Sequence, residues 1–161
     1  MLPPLVFRQI RPDDKGRLAA GLARLSPESR QKRFLMPKPR FSSTELRYLT
    51  EVDGFDHVAI VAVSATDADV FYAVGRFVRL RDDPGTAEVA IVVADPLQGR
   101  GLGREIGTRL ADLARERGVT RFSATLLGDN VPAQRLFASI SARLEQHIAD
   151  GVREMVGELA A

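Results

Sequence analysis

The chain has 161 residues, 45% of them hydrophobic, and Lys+Arg 23 against Asp+Glu 21 leaves a formal net charge of only +2. That length suits one domain with a full core, spanning residues 1–161, and is short for two. The basic residues are scattered arginines without a run, and aromatics are 6%, so nucleic-acid binding is not expected; the lack of cysteine excludes disulfides, thiolate metal sites and a cysteine nucleophile.

Along the chain, LVFRQIR reads as a first strand, and PDD follows with Asp13 or Asp14 placed to cap a helix through KGRLAAGLARL. SPESRQKRF opens with a Ser-Pro-Glu helix start, in which proline at the first helical position costs no hydrogen bond. The proline-broken LMPKPRFS separates it from a third helix, STELRYLTEV. From Asp56 the period changes: HVAIVAVSA, DVFYAVGRFVRLR and TAEVAIVVAD are β-branched runs separated by TDAD and DDPG, which predicts an antiparallel meander. A helix, LGREIGTRLADLARERG, carries Leu102, Ile106, Leu110 and Leu113 on one face and closes at Gly118. TRFSATLL is a further strand, NVPAQRLFASI a helix, and RLEQHIADGVREMVGEL a hairpin turning at Asp150-Gly151. This order predicts a single α+β domain built on one twisted sheet.

No basic leader precedes an apolar core and no stretch reaches ~18 apolar residues, which predicts a soluble cytoplasmic protein without a membrane partner. His57 and His147 lie far apart with no carboxylate cluster between them, so no metal site is expected.

The chemistry concentrates in AEVAIVVADPLQGRGLGREIG, where Gly99, Gly101 and Gly103 crowd between a strand and a helix. A P-loop needs lysine and a hydroxyl residue after the last glycine, where Arg104 and Glu105 stand. A dinucleotide fingerprint needs a different glycine spacing at a first βαβ unit. What both share remains: a glycine-rich turn opening a helix offers unpaired N–H groups and the positive helix end to an anion, with Arg100 and Arg104 as reinforcement. A tight strand-to-helix crossing that needs glycine only for packing fits these residues equally well.

Gln98-Gly99-Arg100-Gly101-Leu102-Gly103 resembles the Q/R-x-x-G-x-G/A loop of the Gcn5-related N-acetyltransferases, and it sits where that family has it. LLGDNVPAQRLFASI, with Asn130, Ala133 and Leu136, is similar to the family's later strand-to-helix segment. SRQKRF, ELRYLTEVDGFDHVAIVAV and AEVAIVV read most like the acetyltransferase domain of bacterial protein lysine acetyltransferases. The resemblance implies a mixed, mostly antiparallel sheet flanked by helices, with acetyl-CoA as cosubstrate. Its pyrophosphate would rest on the N–H groups of Gly99 to Arg104, and its pantetheine would pair along Val92, Val93 and Ala94. Asn130 would reach the pantetheine or the phosphate end, or simply cap its helix.

The implied reaction moves an acetyl group to a primary amine, on a protein lysine or a small molecule. A lysine of pKa ~10.4 is only about 0.04% neutral at pH 7, so a base is wanted. Glu88, the lone charge in TAEVAIVV and ten residues before Gln98, is the candidate; apolar flanks suggest an enclosed carboxylate, the alternative being an outward, solvated one. A main-chain N–H near Val92 or Val93 would serve the oxyanion. Where many members have a tyrosine acid, this chain has Phe137, expected to pack on the cofactor or in the core. Ser141-Ala142 replaces the usual Gly-Phe. That keeps open a non-catalytic acyl-CoA-binding module, and a homodimer through the last hairpin stays equally open.

Overall fold

The computed structural model describes residues 2–34, 40–127 and 130–159. Its strands are β1 (Leu5–Gln9), β2 (His57–Ser64), β3 (Phe71–Arg79), β4 (Thr86–Val93), β5 (Arg121–Leu127), β6 (Ser141–Ala149) and β7 (Val152–Leu159). The helices are α1 (Lys15–Arg24), α2 (Pro27–Phe34), α3 (Ser43–Thr50), α4 (Leu102–Glu116) and α5 (Val131–Ser139). The proline-rich break expected after α2 falls on 35–39, outside the described residues.

The strands form one seven-stranded sheet in the order β1-β2-β3-β4-β5-β7-β6. The expected meander is present, with β3 antiparallel to both β2 and β4. The hairpin turns at Asp150 (φ 54°) and Gly151 (φ 76°), the two successive positive φ angles that match the twist of paired strands. Two features have no local signal. β5 runs parallel to β4, and β7 rather than β6 lies beside β5, leaving β6 at the edge.

β2 is buried along its whole length because both faces of the sheet are covered. One face packs on α4: Phe77, Val89 and Phe122 meet Leu102, Ile106 and Leu110 in a single apolar cluster. Gly75 makes that approach feasible, since a Cβ there would lie 2.3 Å from Ile106 Cγ2 and 2.9 Å from Leu110 Cδ1. On the other face, Ala59, Val61 and Val74 pack with Leu18 of α1, joined by Leu46 and Leu49 of α3.

The cap expected at α1 is different in kind. Asp14 occupies the N-cap position but makes no side-chain cap bond. Its buried carboxylate instead accepts from both terminal nitrogens of Arg8 at 2.8 Å, from the Arg11 N–H at 2.7 Å and from Arg17 at 3.0 Å. Burial opposes ionisation of Asp14, yet these donors outweigh it and hold the carboxyl below its ordinary value.

Candidate active site

β4 and β5 pair only over Thr86–Glu88 with Arg121–Ser123. Beyond Glu88 they part, while β4 continues to Val93 against β3 alone. A main-chain edge is therefore open in the middle of the sheet, and Glu88 stands at the fork. Ala94 N–H donates to Tyr72 O at 2.8 Å, so Ala94 is turned toward β3. By the alternation of an antiparallel ladder Val92 is turned the same way, and Val93 and Ile91 toward the gap. The Val93 carbonyl accepts from Gln98 Nε2 at 3.0 Å, on that open side. Of the strand residues expected at the site, Val93 thus presents its main chain there. Ile91, which the sequence did not single out, does so too, and the Val92 side chain packs on the α1/α3 side.

The loop that follows is anchored rather than loose. Asp95 accepts from Ser26 N–H at 3.0 Å and from the Ser29 hydroxyl at 2.7 Å, tying the end of β4 to the start of α2. Burial would raise the Asp95 carboxyl, but the Ser29 and Ser26 donors prevail and lower it. Gln98 extends the tie, with Nε2 also 3.3 Å from Ser29 Oγ and 3.2 Å from Asp95 Oδ1. The anchoring aspartate is legible only once α2 is seen to lie beside it.

Gly99 (φ 77°) and Gly101 (φ 87°) hold left-handed conformations with open space where a Cβ would be, as a close approach from outside requires. Gly101 is the N-cap of α4 and supplies no side-chain cap. The first intrahelical bond is Glu105 N–H to Gly101 O, leaving the N–H groups of Leu102, Gly103 and Arg104 without intrahelical partners. Gly103 serves a different purpose. A Cβ there would lie 3.3 Å from Leu136 Cδ2 and 3.6 Å from Val93 Cγ2, so its small size lets α4 pack against α5 and β4. Arg100 and Arg104 are exposed beside the turn, whereas the Leu102 side chain is in the core.

Asn130 is buried and caps α5, its Oδ1 accepting from Ala133 N–H at 3.4 Å, which is the helix-cap alternative. Phe137 is 4% exposed and belongs to the α4-side core. Glu88 is exposed rather than enclosed by its apolar neighbours, because the fork opens beside it.

Residues 4–143 match the family model of the acetyltransferase (GNAT) domain. The chain belongs to the GNAT acetyltransferase family. It is 35% identical over 137 residues to the acetyltransferase Pat of Mycolicibacterium smegmatis, an alignment covering 84% of this chain and 40% of that protein; the chain thus spans well under half of that relative's length. The GNAT domain of S. lividans PAT superposes with a TM-score of 0.86 at 32% identity, over 96% of this chain and 90% of that one. A GNAT superfamily phosphinothricin acetyltransferase from Sinorhizobium meliloti in complex with AcCoA shares the fold, with a TM-score of 0.77 at 14% identity over 96% of this chain and 88% of that one. As in those folds, this GNAT chain carries a seven-stranded mixed sheet, and no helix among its described residues is long and apolar enough to cross a membrane.

Proposed function

We propose that this chain is one acetyltransferase domain that moves the acetyl group of acetyl-CoA to a primary amine, with Glu88 as general base. The observation that carries the reading is a single continuous edge. It begins at the Glu88 fork, runs along the unpaired side of Val89–Val93 and ends at the unpartnered N–H groups of Leu102, Gly103 and Arg104.

Acetyl-CoA supplies an activated thioester. Every other part of the step belongs to the chain. The N-terminus of α4, with Arg104 beside it, suits a pyrophosphate because partial positive charge and free donors coincide there. The turned-out Val93 and Ile91 groups suit an extended amide-bearing arm, by the main-chain pairing that adds a strand to a sheet edge. The Val93 N–H, on the same edge, suits the carbonyl oxygen as charge grows on it. Glu88, exposed where the gap begins, takes the proton from the incoming ammonium directly or through a water; the neutral amine nitrogen then bonds to the acyl carbon as the C–S bond breaks, and the second proton it sheds passes to the departing thiolate. Supplying neutral amine at pH 7 costs roughly 4.6 kcal/mol, which is the work assigned to this base. The departing thiolate is stable enough to leave without a tyrosine acid, consistent with Phe137 being core.

The resemblance of SRQKRF, ELRYLTEVDGFDHVAIVAV and AEVAIVV to bacterial protein lysine acetyltransferases supports a protein lysine as acceptor, with a small-molecule amine as the other class. Saturating acetyl-CoA is expected to raise the Tm through binding linkage, worth ~2.7 kcal/mol at a hundred times Kd. Thiol release measured across lysine peptides, polyamines and aminoglycosides then identifies the acceptor. A Tm shift with no thiol release from any of them would favour the alternative of an acyl-CoA-binding module, and no shift at all would remove both readings.

A further inference from the structure

The sheet ends in two edges of different character. β1 is five residues long and is held between Pro4 and Pro12, a short, proline-bounded edge of the kind that discourages further pairing. β6 is nine residues long, SARLEQHIA, with neither proline nor lysine. Past a register shift between Ser141 and Arg143 it pairs with β7 without irregularity as far as Ala149. Every residue from Glu145 to Ala149 is exposed, the apolar Ile148 at 57%. Length, regularity and an exposed apolar side chain all leave this edge fit to take another strand.

One hydrogen bond fixes which main-chain groups point outward. Leu159 N–H donates to Thr120 O at 2.9 Å, and the β5/β7 ladder continues through the pairs Phe122–Gly157, Ala124–Met155 and Leu126–Arg153. Hydrogen-bonded pairs alternate along an antiparallel ladder, so Gly157, Met155 and Arg153 turn their main chain toward β5. Glu158, Val156, Glu154 and Val152 turn theirs toward β6, where they face Arg143, Glu145, His147 and Ala149. The N–H and C=O groups of Leu144, Gln146 and Ile148 therefore point out of the sheet, and among the described residues nothing pairs with them.

We propose that a second copy of this chain occupies this edge, β6 against β6, about a two-fold axis through Gln146. In that register Leu144 meets Ile148 of the second copy and Gln146 meets Gln146, and each of these outward-facing pairs exchanges two main-chain hydrogen bonds. Glu145 meets His147 of the second copy, a carboxylate opposite an imidazole that can donate to it, once on each side of the axis. Arg143 meets Ala149, so no like charges oppose one another. Moving the axis to Glu145 sets two carboxylates face to face, which is destabilising. Moving it to Leu144 carries Ile148 opposite Ile140, outside the strand. The side-chain sequence of β6 thus complements itself in the register that uses all its outward groups. Because the axis stands perpendicular to the sheet, the two Glu88 forks open on the same side of a sheet continuous through both copies.

Sedimentation velocity across the micromolar range tests this without reference to acetyl transfer. The chain is expected to sediment as a dimer, and in that dimer the amides of Leu144, Gln146 and Ile148 should be protected from hydrogen exchange when read by NMR. Gln146→Pro removes an outward N–H from each copy and leaves the β6/β7 ladder its bonds, so the dimer should be lost while the circular dichroism spectrum is kept. Should that variant not fold, an exchange of charge decides. Glu145→Lys and His147→Glu should each weaken the dimer by about two- to thirtyfold, the effect of two symmetry-related cross-strand pairs, and the double variant, which restores opposite charges across the axis, should regain the lost affinity. A monomer at every concentration overturns the proposal, as does a dimer that Gln146→Pro leaves intact or in which the three amides exchange freely. A double variant that dimerises no better than either single one overturns it as well, by removing the register on which it stands.

Discussion

The two faces of the sheet are built to different standards. Against α4, nearly every side chain is apolar and sealed, down to a glycine at position 75 that admits Ile106. Against α2 and α3, the strand ends that follow the apolar row of Ala59, Val61 and Val74 carry His57, Arg76 and Glu88, with a buried imidazole and a buried guanidinium in contact. Polar groups cost free energy when covered, so a chain that can seal one face completely has no packing reason to load the other with charge. On the proposed reading, the sealed side holds the fold together and the charged side meets the acceptor.

Substitutions break or sharpen this contrast. The largest effect is expected on the charged face: Glu88→Gln should lower turnover by about 10²–10⁴, roughly 2.7–5.4 kcal/mol of barrier, with Tm and acetyl-CoA affinity unchanged. The deficit should shrink between pH 6.5 and about 9.5 as more of the amine is already neutral, and parallel pH profiles of similar height would rule Glu88 out as the base. On the sealed face, Leu110→Ala should cost ~2–5 kcal/mol of stability in urea unfolding while leaving the pH profile of transfer as it is; a changed profile would show that the faces are coupled.

Acid should distinguish the faces next. Because burial, then the Arg76 charge, push the His57 pKa down to about 4 in the fold, the unfolded chain binds more protons between pH ~6.5 and ~4. The stability this neutral ring contributes is fully present above the unfolded pKa and is lost as pH falls through that window, on the order of 2–3 kcal/mol. Urea midpoints in His57→Gln should lack this limb. Asp14, held below its ordinary value, gives way only at lower pH, so the His57 limb reads separately. The smallest effect is expected at the loop: Gly101→Ala meets no atom within 4 Å but must adopt φ 87°, costing about 1–2 kcal/mol. Acetyl-CoA affinity should fall with it. Gly103→Ala should act through Leu136 instead, lowering stability more than affinity.

Much of this molecule obeys local rules, and those parts were legible. Proline at the start of α2, the Asp150-Gly151 turn and the α4 stripe each depend on residues a few positions apart, as does the left-handed pair Gly99 and Gly101. The position of Glu88 on β4 could be read for the same reason, but not its exposure, which the parting of β5 from β4 decides. Of Asp13 and Asp14, Asp14 does stand at the N-cap of α1, but its carboxylate goes to Arg8, Arg17 and the Arg11 N–H and makes no cap bond. Phe137 and Asn130 left two readings open each; Phe137 lies in the α4-side core cluster and Asn130 caps α5, a role that does not exclude contact with a cofactor.

By itself the sequence determined the elements, their order and the glycine turn, because hydrogen-bond geometry and side-chain period act over one to four residues. Only the tertiary structure decided that β5 would join β4 in parallel and then part from it, that Asp95 would anchor the loop to α2, and that His57, Arg76 and Glu88 would share one face. Those outcomes depend on electrostatics and packing between residues tens of positions apart, a distance over which no periodicity in the chain carries information.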